Sequence, residues 1–354
     1  MRTSAQILGL MAGSSMDGLD AALCVFHPQK INGISYSIIK QRTFPYPPHI
    51  LKLLQNIRRT SSYEYFEADV QYAQWIGTTI QQWIKRHRLK VDALAVHGHT
   101  VFHHPEKGFS IQLGNAAQIA AITSIPVIHN FRNLDIAQGG QGAPLVPIGD
   151  KILFSEYDAC VNIGGIANVF VHKKEWAYDV CIANIALNFF AQKLKMPFDK
   201  EGTLAKHGKV HTAMLRALNE LPFFQMSPPK SLNREYFERY YLPVIQTYKA
   251  PIPDILSTLT EHIARHIAQS VQYPFVRNIL MTGGGVLNKY LMKRIIYYAP
   301  TKNFVIPHHK ILIKYKEALV FALMGYLRLN QLPNTLSKTT GAKMNVSCGD
   351  IVHI

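Results

Sequence analysis

Cysteine is scarce in this chain, and its placement excludes two classes of protein. The four residues, Cys24, Cys160, Cys181 and Cys348, are far apart. No pair has metal-ligand or redox spacing, and three sit in apolar surroundings, so buried free thiols are expected in place of a disulfide framework or a zinc site. Long apolar runs are also missing: none approaches the ~20 residues of a membrane span. The run 7–12 behind Arg2 is too short for a signal peptide, and a polar turn, Asp17-Gly18-Leu19-Asp20, follows it with no convincing cleavage site. A cytoplasmic protein is the expectation. Acidic residues are in deficit, 22 against 38 basic ones, for a formal charge of +16. That balance favours anionic partners. The basic residues are scattered, however, apart from groups such as Lys85-Arg86-His87-Arg88, and no basic tail or nucleic-acid module is present. An anionic small substrate fits as well as nucleic acid does, and so does a generally basic surface.

What remains is a chain rich enough in apolar residues, 48%, to build a packed core. Its 354 residues allow two domains of ordinary size. The stretch 9–20, Gly-Leu-Met-Ala-Gly-Ser-Ser-Met-Asp-Gly-Leu-Asp, lies between apolar segments 7–11 and 21–26, the pattern of strand, tight turn, strand. Gly13 and Gly18 let the backbone turn, and Ser14, Ser15, Asp17 and Asp20 supply hydroxyls and carboxylates. Backbone N–H groups in such a turn can hold an anion, and the carboxylates suit a Mg²⁺ ion bridging to phosphate. An ordinary hairpin reads equally well. Leu19 stands where a P-loop has Lys, and a strand follows where that motif starts a helix. No G-x-G-x-x-G is present.

The spacing predicts a long helix over 61–87, with Ser61 or Ser62 as its cap. A short buried strand over 91–96 leads into His97-Gly-His-Thr100. Polar residues at strand C-termini are where α/β sheets bind ligands. His103 and His104 follow, but no carboxylate or Cys completes a metal set with these histidines, so no metal site is expected there. The loop from Asn130 through Arg132 and Asp135 to Gly139, Gly140 and Gly142 can shape a pocket or act as a hinge.

A second strand, glycine turn and strand occupies 159–171 around Gly164 and Gly165, and a third strand, 176–182, carries Asp179. Both halves thus open with a β-meander holding a glycine turn, the mark of duplicated α/β domains facing each other across a cleft. A strand at 278–281 feeds Gly283, Gly284 and Gly285, which can admit a planar or anionic ligand at a helix N-terminus. A last helix is expected over 317–329, opened by Glu317 as a first-turn dipole partner or as a side chain facing the cleft.

Together these motifs resemble the anhydro-N-acetylmuramic acid kinase family, within the sugar kinase, Hsp70 and actin superfamily. The pieces are 9–20, 97–100, 131–145, 162–168, 198–202, 228–231, 259–261, 282–285, 317–318 and 340–342, in the family's order. The resemblance implies an α/β fold of two duplicated actin-like/ribonuclease H-like domains with a cleft between them. The first would span 1–130, with the tail 331–354 returning to it, and the second 131–330. It implies ATP and Mg²⁺, an anhydro amino-sugar substrate, no nucleic acid and no membrane, and it leaves a homodimer open. Water would open the 1,6-anhydro ring at C1 while O6 takes the γ-phosphoryl group, in cell-wall recycling. Carried over by motif, Gly13, Ser14, Ser15, Met16, Asp17, Gly18, Leu19 and Asp20 would hold phosphates, with Mg²⁺ via Asp17 and Asp20. Gly164 and Gly165 would form the second phosphate turn, and Gly283, Gly284 and Gly285 would lie near the adenosine. His99, Thr100, Arg132, Asp135 and Glu317 would line the sugar pocket, and Asp179 would be the base that activates water. The segment Asp179-Val-Cys-Ile-Ala-Asn184 departs from the family's usual Asp-Thr-Gly-Pro-Gly/Ala-Asn, and His99 stands where Gln is usual. A non-catalytic sugar or nucleotide sensor is the alternative.

Overall fold

The structure, a computed structural model, describes residues 4–13, 16, 18–29, 33–307 and 310–354. It divides into two compact units: Met1–Leu153 with Tyr315–Ile354, and Phe154–Lys314. The expected break after residue 130 falls inside the first unit. Segment 131–153 stays there because its loop is bonded to the C-terminal tail: the Gln141 N–H donates to the Thr340 carbonyl at 2.7 Å.

The first unit holds a six-stranded sheet. Strands β1 (Ala5–Ala12), β2 (Leu19–Gln29) and β3 (Gly33–Phe44) form an antiparallel meander. β4 (Ala93–Val96) runs parallel to β1. A hairpin of β5 (His99–His104) and β6 (Phe109–Leu113) stands apart as its own sheet. β7 (Val127–His129) runs parallel to β4. The second unit repeats the plan. β8 (Ala159–Ile163), β9 (Ile166–Val171) and β10 (Trp176–Ile182) form the meander. β11 (Asn278–Thr282) runs parallel to β8, and β12 (Asn303–Val305) parallel to β11. In the first unit β13 (Asp350–Val352) closes the sheet against β7. An antiparallel meander continued by two parallel strands, built twice, is the duplicated actin-like/ribonuclease H-like plan.

Each sheet is covered by helices whose apolar residues recur at helical spacing. Leu8, Leu10, Ala21 and Leu23 share a buried cluster with Tyr72, Ile76, Ile80 and Trp83 of the Ser62–His87 helix. Ser61 and Glu64 form a reciprocal capping box at its start, satisfying two otherwise unpaired N–H groups. The Lys310–Leu329 helix covers the opposite face, at Gly9. A Cβ on Gly9 would stand 1.9 Å from the Ala318 carbonyl oxygen and 2.8 Å from the Ala322 nitrogen. Neither backbone atom can yield, so Gly9→Ala should cost about 2–3 kcal/mol of stability. Gly33→Ala, whose nearest neighbour would be the Gln29 side chain at 3.6 Å, should be nearly neutral. Equal denaturation midpoints for the two variants would refute this packing argument. In the second unit Leu256, Leu259, Ile263 and Ile267 of the Ile252–Ser270 helix bury against Val161, Val169 and Ile182.

Two elements differ from expectation. The last helix begins at Lys310, so Glu317 sits inside it and cannot be a first-turn dipole partner. The run Lys310-Ile-Leu-Ile-Lys-Tyr-Lys316 conceals the helical period by placing Lys at alternate ends of a short apolar stretch. Pro45, Pro47 and Pro48 read in the sequence as an interruption, whereas a helix starts there, Pro48–Asn56, because a first-turn proline gives up no hydrogen bond.

Candidate active site

In the first unit the β1–β2 turn joins two paired strands. Gly13, Met16 and Gly18 are described; the expected phosphate contacts Ser14, Ser15 and Asp17 lie outside the described residues. The Met16 N–H donates to the Gly13 carbonyl at 3.4 Å. Gly18, at φ 152°, lets the chain pass β3: a Cβ would come within 2.5 Å of the Phe44 carbonyl oxygen. Leu19 belongs to the sheet. It pairs with Ala12 and Phe44 and its side chain is fully buried, so it is removed from the phosphate turn. Asp20 sits on β2, and its Oδ1 accepts from Thr43 Oγ1 at 2.5 Å. Tyr315 Oη lies 3.2 Å from the same hydroxyl.

Arg132 is clamped between two neighbours. Its Nε and Nη2 donate to His97 Nε2 at 3.2 and 2.7 Å, and Nη1 donates to the Gly142 carbonyl at 2.6 Å. His97 is therefore neutral at that nitrogen, and burial, then the Arg132 charge, hold its pKa well below the ordinary value. Burial brings Arg132 down to about 10, against the pull of Glu317 and Asp135. Glu317 has an exposed side chain, crowded enough by neighbouring groups to lose hydration. Loss of hydration raises its pKa, Lys316 and Arg132 lower it, and Asp20 raises it. Lys316 is itself buried and paired with Asp150 at 2.5 Å.

Asp135 takes another place than expected. It is fully buried, its Oδ2 accepts the Gly142 N–H at 2.9 Å, and its Oδ1 accepts the Thr340 hydroxyl at 2.8 Å. A carboxylate with both oxygens occupied inside the protein ties a loop and cannot line a pocket. His99 is also buried, and burial brings its pKa down to about 4. Thr100 is half-buried and pairs with Gln112. His103 bonds Ser110 and His104 bonds Glu106, so these side chains do not converge. Among the described residues no group of three His, Cys, Asp or Glu could hold a metal ion. A cavity of about 190 Å³ is lined by His97, Ser110, Gln112, His129 and Asn133 among others.

In the second unit two glycine segments meet at one edge of the sheet. Gly164 and Gly165 form the β8–β9 turn. Their carbonyls accept from Asn184, and from Ala183 and Ile185, at the start of the Asn184–Gln192 helix. Neither glycine N–H donates to another group among the described residues. The carbonyls are turned inward and the amides remain to offer an anion. Because β11 runs parallel to β8, its C-terminal end delivers Gly283–Gly285 to the same edge. A Cβ on Gly283 would lie 2.6 Å from the Ile163 carbonyl oxygen, whereas one on Gly284 would meet nothing within 4 Å. The first glycine packs against the β8–β9 turn and the second faces open space.

Asp179 is the central residue of β10, paired with Asn168 of β9 beside a bulge, and not at the strand end. Its N–H donates to the Lys230 carbonyl at 3.0 Å, and its Oδ2 accepts the Leu232 N–H at 2.8 Å. Burial raises its pKa to about 6, and the Leu232 bond opposes that rise. It caps no helix: the Asn184–Gln192 helix has Ala183 at its N-cap and no side-chain cap. The 228–231 motif gave no hint that it grips Asp179, and the Thr43–Tyr315 and Asp150–Lys316 pairs carry no spacing signal that sequence reading could have found.

The sequence profile described as "Anhydro-N-acetylmuramic acid kinase" matches residues 5–353. An anhydro-N-acetylmuramic acid kinase of Pasteurella multocida is 36% identical over 368 residues, covering 97% of this chain and 96% of its own. One of Rippkaea orientalis is 35% identical and covers 98% and 99%. Among solved structures, the activator of the 2-hydroxyisocaproyl-CoA dehydratase from Clostridium difficile with bound ADPNP aligns over 95% of this chain and 100% of its own, at 12% identity and a TM-score of 0.42. A profile match across nearly the whole chain, with relatives above 30% identity over nearly their full length, places it: the chain belongs to the anhydro-N-acetylmuramic acid kinase family.

Proposed function

We propose that this protein is an ATP-dependent kinase of a 1,6-anhydro amino sugar, acting in the cytoplasm. Asp179 takes a proton from water as the water oxygen bonds to C1. The C1–O6 bond breaks, O6 bonds to the γ-phosphorus, and ADP leaves. One anhydro sugar, one water and one ATP give the sugar 6-phosphate, ADP and a proton. The observation that carries this reading is the buried Asp179 carboxylate, raised to about 6 beside the β10 bulge, in the sheet whose β8 and β11 ends carry the two glycine segments. A base is most effective when its pKa lies near the working pH.

The remaining roles are carried over with the family's motifs. Arg132 and Glu317 would orient the sugar, with His99 and Thr100 beside it, and Asp135 would hold their loop. The amides of Gly164 and Gly165 would bind phosphate. The donor set also fits Mg²⁺, which favours carboxylate oxygens and keeps several waters. Asp20 and Asp17 would hold it, and when bound it would neutralise charge between phosphate oxygens.

The direct test is phosphotransfer from ATP to a panel of anhydro- and free amino sugars. A 6-phosphate should form from a 1,6-anhydro sugar, and kcat/KM should fall about tenfold per pH unit below about 6, where Asp179 takes up a proton. ATP binding without transfer to any sugar would favour a sensor over an enzyme. A second variant probes the nucleotide: Gly284→Leu adds a side chain where the fold has open space. It should weaken ATP binding about tenfold or more with an unchanged Tm. Unchanged affinity by calorimetry would remove Gly284 from the adenosine site.

A further inference from the structure

β10 is the edge strand of its sheet, so one side of its backbone is left for something other than a strand. The chain at 230–232 takes that side. The Lys230 carbonyl accepts the Asp179 N–H, and the Leu232 N–H donates to the Asp179 carboxylate. This segment therefore holds both the backbone and the reacting group of Asp179. Its own anchorage is slight. Ser227, Pro229 and Ser231 are exposed, while Pro228, Lys230 and Leu232 are half-buried. Leu232 packs on the apolar core. Lys230 Nζ donates to the Phe223 carbonyl at 3.1 Å and lies 4.5 Å from the centre of the Phe223 ring. Phe223 is 2% exposed, and its N–H donates to Tyr236 Oη at 3.2 Å, so the ammonium is moored to a fixed point.

We infer that Lys230 is a positioning residue for Asp179: its ammonium, moored on Phe223, holds the Leu232 N–H against the carboxylate and so sets the direction and basicity of the base. This rests on the reading of Asp179 as the base. Lys230 touches neither Asp179's carboxylate nor any reacting atom; it acts through the backbone two residues on. A surface lysine with no such role would leave the pH profile alone.

The experiment compares the full-length wild type with Lys230→Met, Lys230→Arg and Asp179→Asn, measuring kcat and KM against pH with ATP and the anhydro sugar. Lys230→Met should lower kcat about tenfold and move the acid limb of kcat/KM up by about one unit, because the carboxylate loses the bond that favours its charged form. KM for ATP should stay within twofold. Lys230→Arg keeps a cation and a donor over the ring and should recover most of both effects. Independently of turnover, hydrogen exchange at the Leu232 amide should quicken in Lys230→Met and not in Lys230→Arg. Wild-type kcat, acid limb and Leu232 exchange in Lys230→Met, beside an inactive Asp179→Asn, would overturn this inference alone. An active Asp179→Asn would overturn the reading of the base on which it stands.

Discussion

Asp179→Asn should lose phosphotransfer by about 10²–10⁴-fold while becoming more stable than the wild type at neutral pH. The first half follows from chemistry, since an amide cannot accept the proton of water. The second follows from the cost of keeping this carboxylate charged. Its pKa is about 6 in the folded protein against an ordinary 3.8. Between those values the folded state binds more protons than the unfolded one, so the contribution of Asp179 to stability falls as pH rises through that window and stays unfavourable above it. At pH 7 the cost is about 1–3 kcal/mol. Asn keeps an oxygen to accept the Leu232 N–H and sheds the charge. Thermal unfolding at pH 7 should show a higher Tm, and the gain should shrink toward pH 4. A lower Tm at pH 7 would mean that the carboxylate is a structural partner whose loss the fold feels.

The stability gain also separates Asp179 from two acidic residues of the first unit. Asp20 is bonded to the Thr43 hydroxyl, and Asp150 is paired with Lys316. Asp179 is the one whose burial is opposed by a single N–H and no cation among the described residues. Folding alone gives no reason to keep a group in that condition, whereas a base that must take a proton near neutral pH requires it.

Both meanders could be read from the sequence because their signal is local: apolar runs on either side of Gly13–Gly18 and of Gly164–Gly165. The Ser62–His87 helix was legible for a similar reason, since its apolar period persists over many turns. What escaped depends on contacts between distant positions. Asp135 looked like a pocket carboxylate beside Arg132, yet its partner Thr340 lies 205 positions away. Lys230 carried a motif but no role, because its meaning comes from the bulged edge strand it lies against. Glu317 was expected to begin a helix, since nothing in 310–316 declares the turns that precede it. The β5–β6 hairpin went unseen as well: its histidines were weighed only as metal ligands and set aside, and strand pairing was not considered.

Asp135→Ala should be the most damaging change to the first unit. The wild-type carboxylate joins the loop 138–142 to the C-terminal tail, through the Gly142 N–H and the Thr340 hydroxyl. Alanine leaves both donors unsatisfied in a fully buried place and takes a negative charge from the vicinity of Arg132. Each bond to a charged acceptor contributes about 1.5–3 kcal/mol, so a loss of at least about 3 kcal/mol is expected, or roughly 6–12 °C in Tm. Asp135→Asn offers one oxygen and one amide to the same two partners, and the Thr340 hydroxyl can reverse its role to accept. It should recover part of the stability. Sugar KM should rise in both variants in step with the Tm loss, because Arg132 is fixed partly through the Gly142 carbonyl of this same loop. A carboxylate that touched the substrate would behave otherwise: Asp135→Ala would keep its Tm and lose sugar binding alone, and that outcome would return Asp135 to the pocket.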